Sequence, residues 1–253
     1  MKTFRAELHI HTVLSPCAGV EMIPPLIVEA AVKHNISLIA ITDHNASDNI
    51  AAVMQAAKGY DLTVLPGMEL QTREDVHCLC LFDTIDQIQA FQNLVDQSLP
   101  EIKNNANFFG EQFVVDHSGV FIRRKDQLLI TSTRFSLEEA FHTVTDIGGL
   151  FIPAHVNRQS FSLFYHLGFV PPDLPIEALE VSRHTTPEGA AKDYPQIKGY
   201  PLIQSGDVHF IDEFLGANNF LLENPSISEI KMALRGENGR KITIKPIFDD
   251  SLC

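Results

Sequence analysis

The segment 5–12, Arg-Ala-Glu-Leu-His-Ile-His-Thr, is the part of the sequence from which the fold can be worked out. Its pattern predicts a β-strand, and residues two apart on a strand share a face. The polar side chains would then face one way, with Leu8 and Ile10 on the other side. The pair His9 and His11 at the end of such a strand can hold a metal ion. A polar strand face that binds nothing explains the same pattern, so later segments must supply further ligands.

The composition is that of a globular protein with a substantial core. The chain has 253 residues, 45% of them hydrophobic and 20% charged, which is ordinary for such proteins. No apolar run approaches the ~20 residues of a membrane span, and residues 1–5 lack the apolar region of a signal peptide. The four cysteines show no paired framework. We therefore expect a cytoplasmic protein with no membrane attachment.

The net charge of −13 at pH 7 restricts the class of partner. An acidic surface repels a long phosphate backbone, so long nucleic acids are not favoured as partners. Bound divalent metals reverse the field locally. A small phosphorylated substrate, nucleotides included, is therefore the expected partner, and the sequence does not indicate an oligomeric state.

Apolar segments of strand length alternate with helical patterns along most of the chain, which predicts a parallel α/β architecture. Helices are predicted over 24–34, 46–58, 86–99 and after Ser136, where Glu139 completes a capping box. Another helix follows Ser226 and ends at Gly236, before a last strand near 240–244. The seven principal strands are predicted over 5–11, 37–42, 62–66, 76–82, 150–154, 176–182 and 201–205.

Residues 100–134 are the least regular part of the sequence. A hairpin is predicted over 113–122, with its turn near Ser118 and Gly119. The segment is too short to bury a core of its own, so we interpret it as an insertion between strands. The sequence shows neither an internal repeat nor a Pro/Gly/Ser-rich linker, which favours a single domain over residues 1–253.

Side chains of metal-ligand type follow or flank six of the seven predicted strands, whereas the strands themselves are apolar. In β/α barrels functional residues gather at the carboxyl ends of the strands. Imidazole with carboxylate suits Zn, Mn or Fe, and one ion needs only three or four protein ligands, so two or three divalent metal ions are expected. Cys78 and Cys80 alternate with His77 and are predicted to be buried apolar filling. The ligand-type residues are His9, His11, Asp43, His44, Glu69, His77, His155, Asp207 and His209.

These motifs resemble, in order and spacing, those of the PHP (polymerase and histidinol phosphatase) family over residues 4–216. The resemblance implies a distorted, TIM-like (β/α)7 barrel of seven strands with a trinuclear metal centre that hydrolyses phosphoesters. The segments that carry it are His-Ile-His-Thr at 9–12, Thr-Asp-His at 42–44, Gly-Met-Glu at 67–69, His77, Pro-Ala-His at 153–155 and Gly-Asp-Val-His at 206–209.

The resemblance also implies a distribution of the ligands. The first metal would be held by His9, His11, Glu69 and Asp207. Glu69 would bridge to a second metal held by His77 and His155, with His44 and His209 at a third. Asp43 would orient a ligand. Family members usually place an Asp or His in the loop after the first motif, where this chain has Ser-Pro-Cys ending at Cys17. Cys17 is either a thiolate ligand or a small turn residue.

The implied activity is that of a metal-dependent phosphoesterase acting on a small phosphate monoester or nucleotide through a metal-bridging hydroxide. Arg158 and Arg183 are candidate phosphate-binding residues, although surface ion pairs are an equal alternative. His184 is a candidate proton donor or substrate contact, and Asp207 is assigned to the catalytic set. The alternative functions are a 3′–5′ exonuclease-like nuclease, a barrel amidohydrolase and a metal-binding module without activity. No lysine of amidohydrolase type follows a strand here, and the nearly complete ligand set argues against lost activity.

Overall fold

A computed structural model describes residues 1–245, and a curled sheet of seven strands forms its centre. The strand order across this sheet is β11-β10-β1-β2-β3-β4-β7. Its strands are β1 (Lys2–Ile10), β2 (Leu38–Ile41), β3 (Thr63–Gln71), β4 (His77–Leu81), β7 (Leu150–Pro153), β10 (Asn218–Leu222) and β11 (Lys241–Ile244). Two smaller sheets pair β5 (Phe113–Val115) with β6 (Phe121–Arg124), and β8 (Leu179–Ser182) with β9 (Leu202–Ser205).

The helices cover the sheet and lie mostly between strands in the sequence. They are α1 (Pro24–Lys33), α2 (Ile50–Ala56), α3 (Ile85–Ser98), α4 (Ala106–Phe109), α5 (Leu137–Asp146), α6 (Leu163–His166), α7 (Pro187–Asp193) and α8 (Ile227–Arg235). The predicted capping box at the start of α5 is present, since Ser136 and Glu139 satisfy each other's backbone N–H groups. Within residues 1–245, none of these helices has the length and apolar character needed to cross a bilayer.

The α/β class and the seven-stranded main sheet agree with prediction, but the all-parallel (β/α)7 arrangement does not hold. Strands β1, β2 and β3 are parallel, whereas β4 is antiparallel to both β3 and β7. Only residues 72–76 connect β3 to β4, and so short a link makes a hairpin, because a parallel crossover needs a dozen residues or more. The predicted strands over 176–182 and 201–205 form the separate β8–β9 pair, and antiparallel β10 and β11 complete the main sheet.

The sheet separates two apolar clusters, one on its inner face and one on its outer face. Leu79 and Leu81 of β4 belong to the inner cluster, which α8 closes through residues such as Ile230. Cys78 and Cys80 belong to the outer cluster beneath the other helices, and both are fully buried. The prediction that these two cysteines are apolar filling, facing away from His77, is therefore confirmed.

The end of β1 departs from the predicted alternation. Leu8 lies in the inner cluster and Ile10 in the outer one, so they do not share a face. The pairing of β1 with β2 shifts register between Glu7 and Ile10, and such an irregularity re-aims the side chains near it. His9 and His11 still reach one site, where their Nε2 atoms lie 3.2 Å apart.

The insertion at 100–134 contains α4 and the predicted hairpin, now β5 and β6. It packs on the loops after β1 and β2 through a small apolar cluster that includes Val114 and Leu129. The Asn45 side chain donates to the carbonyls of Leu129 and Thr131 at 2.7 and 2.8 Å. The insertion therefore lies beside the loops that carry the ligand-type residues.

Candidate metal centre

One edge of the main sheet collects all the ligand-type side chains predicted from the sequence. His9 lies on β1 and Glu69 lies close to the end of β3, and the loops that follow β1, β2, β7 and β9 begin there. His77 is the first residue of β4 rather than the residue after a strand, and it pairs with Gln71 at the end of β3. Because β4 is antiparallel to β3, its first residue lies at the same edge as the last residues of β3.

Glu69 is the centre of this arrangement and is buried, with 1% of its surface exposed. Its Oε1 and Oε2 atoms face different groups of histidines, so this carboxylate is placed to bridge two sites. From Oε1 the distances are 2.9 Å to His77 Nδ1, 3.1 Å to His155 Nε2 and 3.2 Å to His9 Nε2, and from Oε2 they are 2.9 Å to His44 Nδ1 and 3.4 Å to His11 Nε2.

Asp207 provides the second carboxylate of the centre. Its Oδ1 atom lies 3.2 Å from His9 Nε2, 3.3 Å from His11 Nε2 and 3.5 Å from His209 Nδ1. Its Oδ2 atom accepts a hydrogen bond from Arg158. Asp207 adopts a positive φ of 49°, which is uncommon outside glycine and is typical of residues held for a function.

The donors fit transition-metal ions in composition and spacing. Two ligand atoms bound to one ion at about 2.1 Å lie roughly 3.0–3.4 Å apart, close to the distances between these nitrogen and oxygen atoms. Glu69 Oε2 and Asp207 Oδ1 are buried and have no hydrogen-bond partner among the described residues. Within residues 1–245, three groups have their ligand atoms within 4.8 Å of one another: His9, His11, Glu69 and Asp207; His44, Glu69 and His77; and His11, His44 and His209.

These groups agree only in part with the distribution that the resemblance implies. The first group is the same. His44 belongs to two of the groups, one with Glu69 and His77 and the other with His11 and His209. His155 contacts the centre through Glu69 Oε1. Six histidines and the carboxylates of Glu69 and Asp207 are therefore brought together. Their division into individual metal sites remains a prediction.

The electrostatics favour a charged Glu69 beside neutral His11 and His77, whereas the pKa values of His9 and His44 are raised despite their burial, because Glu180 and Glu69 respectively lie next to them. Burial works against the charged form of Glu69, yet the surrounding histidines, with His77 first, hold its pKa well below the usual range. Burial lowers the pKa of His77 to about 4 and that of His11 well below its usual value. A neutral imidazole has a nitrogen lone pair to give to a metal, so the metal-free site already favours the binding form of these two side chains.

Asp43 lies behind the centre, where it can orient a ligand. The Ser15 hydroxyl donates to Asp43 Oδ1 at 2.7 Å and lies 3.0 Å from His11 Nδ1. Asp43 also accepts from the backbone N–H and the hydroxyl of Thr12, both at 2.7 Å. The chain Asp43–Ser15–His11 thus holds the Nδ1 side of His11 and leaves Nε2 facing the carboxylates.

Glu180 contacts the centre, and the sequence motifs did not indicate it. It is buried on β8, where its Oε2 atom lies 3.0 Å from His9 Nδ1 and accepts from the His155 backbone N–H at 3.0 Å. Its signal in the sequence was a lone carboxylate inside an apolar strand. Glu7 is a similar case, since it accepts from the backbone N–H groups of Gly206 and Gly216 and shapes the loop before Asp207.

The predicted substrate residues line a cleft of about 200 Å³ next to Asp207 and His209. Arg158 pairs with Asp207, and Arg183 pairs with Glu213. His184 also lines this cleft. The arrangement thus brings both arginines and His184 to the centre while giving each arginine an ion-pair partner.

Cys17 lines the same cleft, and although the residue is exposed, its thiol lies against His44 and His209. Burial of its thiol opposes ionisation, but His44 and His209 beside it lower its pKa to about 6. The loop that carries it is tied to the centre, because the Gly19 N–H donates to the His209 carbonyl at 2.8 Å. The thiol is therefore close to two of the ligand-type histidines.

The family model described as PHP domain matches residues 7–145. The chain belongs to the PHP domain family. This confirms the resemblance seen in the motifs.

Several proteins are similar to this PHP domain in sequence or in structure. The uncharacterized protein YqxK of Bacillus subtilis strain 168 is 24% identical over 275 residues, covering 96% of this chain and 64% of YqxK. The lesion-specific endonuclease Q of Pyrococcus furiosus has a TM-score of 0.75 at 20% identity, covering 97% of this chain and 60% of the endonuclease. A Bifidobacterium adolescentis protein described as a metal-dependent phosphoesterase has a TM-score of 0.54 at 18% identity, covering 81% of this chain and 87% of that protein.

At these identities the structural similarity shows the fold alone. This PHP domain spans less than two thirds of the length of YqxK and of the P. furiosus endonuclease.

Proposed function

We propose that this PHP domain hydrolyses the phosphoester bond of a nucleotide or another small phosphate monoester. This proposal rests on the position of Glu69: its two carboxylate oxygens face separate groups of histidines at 2.9–3.4 Å. A buried carboxylate placed between two sets of ligands suits a centre with more than one metal. When bound, two or three divalent ions of Zn, Mn or Fe would activate water and neutralise phosphate charge.

The side chains of the cleft have separate roles in this proposal. Arg158 and Arg183 bind phosphoryl oxygens, because a guanidinium forms paired hydrogen bonds with phosphate. Asp207 and His155 are metal ligands. His184 donates a proton to the leaving oxygen or contacts the substrate. The small cleft volume of about 200 Å³ and the net charge of −13 both support a small substrate.

A nuclease acting on DNA is the second candidate. An endonuclease Q structure described as a complex with a 27-mer duplex carrying an abasic lesion at the active site has a TM-score of 0.67 at 18% identity, covering 95% of this chain. This similarity weighs against excluding long nucleic acids on charge alone, since metals at the site would offset the acidic surface locally. The nuclease candidate therefore includes cleavage within a DNA strand as well as exonuclease-like cleavage from a strand end.

A substrate panel with added Mn²⁺ tests both candidates. It contains small phosphate monoesters, mononucleotides, and intact and abasic DNA duplexes. Asp207→Asn and His155→Ala should each lower turnover by more than the roughly 10–100-fold that loss of a partner behind a metal ligand costs. Asp61→Asn and His142→Ala alter exposed residues and should leave turnover unchanged. Cleavage of DNA alone would replace the small-substrate proposal with the nuclease. Absence of hydrolysis across the panel in metal-loaded protein would overturn both.

We also propose a cytoplasmic location and a single domain in which the insertion at 100–134 influences substrate choice. Three free cysteines among the described residues support a reducing compartment. The packing of the insertion on the loops after β1 and β2 supports its influence on the site. Exchange of β5 and β6 for a short Gly/Ser link should change the ranking of substrates, and an unchanged ranking would contradict this role.

A further inference from the structure

Phe161 combines an unusual backbone with an exposed ring at the edge of the metal centre. Its φ is +52°, in the left-handed region where a bulky side chain is a genuine outlier. Its surface is nevertheless 42% exposed, so burial of the ring does not account for the choice of phenylalanine. Residues held in such conformations cluster at ligand-binding and active sites.

The conformation of Phe161 is imposed by its neighbours. Its carbonyl accepts a hydrogen bond from the His77 backbone N–H at 3.0 Å. The next residue, Ser162, is buried and donates to the Arg158 carbonyl at 2.6 Å, while its hydroxyl accepts from the Tyr165 N–H at 3.3 Å. Contacts on both sides therefore hold the residue in place.

The ring of Phe161 lies flat on a ligand-type histidine. The ring centroids of Phe161 and His77 are 4.7 Å apart and the planes differ by 11°. His77 thus covers one face of the phenylalanine ring, while 42% of the surface of the residue stays exposed. His77 Nδ1 in turn lies 2.9 Å from Glu69, which places the ring one side chain away from the bridging carboxylate.

We propose that the ring face of Phe161 turned away from His77 stacks on the base of the substrate, so that this site prefers nucleotides or nucleic acid to phosphate esters without a base. The inference rests on the proposed phosphoesterase function. Aromatic side chains bind bases of any sequence through their π-faces. Arg158 lies three residues earlier on the same loop and reaches Asp207 in the cleft. One loop therefore presents a group for the phosphate and a flat ring for the base.

Kinetics on matched substrates test this inference. Adenosine 5′-monophosphate and ribose 5-phosphate share the phosphoester and sugar but differ in the base. Wild-type protein should prefer the nucleotide in kcat/KM, and Phe161→Leu should lower that preference about tenfold, mainly through KM. Phe161→Tyr keeps the ring and should keep the preference. Phe169→Leu changes a phenylalanine of similar exposure, 53%, in the following loop and serves as the matched control.

Two further measurements separate the possible outcomes. Metal content by elemental analysis and binding of both ligands by calorimetry are recorded for every variant. If Phe161 only covers His77, Phe161→Leu will change both substrates equally or lower metal content, which overturns the inference. Equal use and equal binding of both ligands by wild-type protein also overturn it. Preferential binding of the nucleotide, lost in Phe161→Leu, without turnover of either compound supports the stacking contact and refutes the phosphoesterase proposal for these substrates.

Discussion

Cys17 is the residue whose role most affects the number of metals. It lies in the loop after β1 beside His44 and His209, where thiolate would favour softer metals such as Zn or Fe. We expect Cys17→Ser to lose about one metal equivalent by elemental analysis. In cobalt-loaded protein, the variant should also lose the thiolate-to-cobalt absorption. Cys80→Ala removes a thiol from the outer core and should keep that absorption. Unchanged metal content and spectrum in Cys17→Ser would leave Cys17 as a turn residue.

Glu180 gives a second test at the scale of single residues. Its carboxylate at 3.0 Å from His9 Nδ1 holds the imidazole with Nε2 directed at the centre, and such partners raise ligand basicity. Glu180→Gln should weaken metal binding about 10–100-fold, measured by competition with a chelator. Glu188→Gln, which alters an exposed glutamate, is the control. Wild-type metal affinity in Glu180→Gln would show that the tautomer of His9 is set by other groups.

The hairpin of β3 and β4 is the element that brings His77 to the centre. Residues 72–76 reverse the chain, with the Thr72 N–H donating to the Val76 carbonyl at 2.9 Å. The reversal places the first residue of β4 at the edge where β3 ends. An α/β crossover at this point would have required a longer connection and would have placed the start of the next strand at the opposite edge.

Helix α5 offers a stability test that leaves the centre intact. Ser136 caps the helix in a reciprocal pair with Glu139, and the buried face of the helix packs in the outer cluster. Ser136→Ala should lower the free energy of unfolding by about 1 kcal/mol, measured by denaturant titration. Ser136→Asp retains a capping group and should lose less. A change in turnover without a change in stability would contradict a purely structural role.

At the scale of the whole molecule, the metals should stabilise the fold. Histidines and carboxylates from β1, β3, β4 and the loops after β1, β2, β7 and β9 converge on one site, so ions bound there link distant parts of the chain. Because a ligand of the native state raises stability by mass action, we expect chelation to lower the melting temperature and abolish turnover.

Elemental analysis of protein purified without chelator should find at least two equivalents of transition metal. Re-addition of Mn²⁺ or Zn²⁺ to chelated protein should restore both the melting temperature and turnover. One equivalent or fewer in fully active protein would contradict the multinuclear centre. Addition of Mg²⁺ is the control, since hard oxygen ligands suit that ion better than imidazole.

The sequence by itself was sufficient for the α/β class, the cap of α5, the insertion hairpin and the set of ligand-type residues. These features have local signals, because helix caps involve residues three apart and the ligand types stand next to apolar strands. Their order along the chain also matched the PHP motifs, which the family model then confirmed over residues 7–145.

Tertiary structure alone decided the direction of β4, the separation of β8 and β9 from the main sheet, and the partners of the ligands. Strand direction and pairing depend on which segments meet in space, and apolar patterning is the same for a buried strand in either direction. The contact of His9 with Glu180 joins residues 171 positions apart. The strained Phe161 depends likewise on His77, to which it is bound through both backbone and ring. Such long-range contacts have no periodic signal in the sequence, so only the folded chain shows how the centre is held.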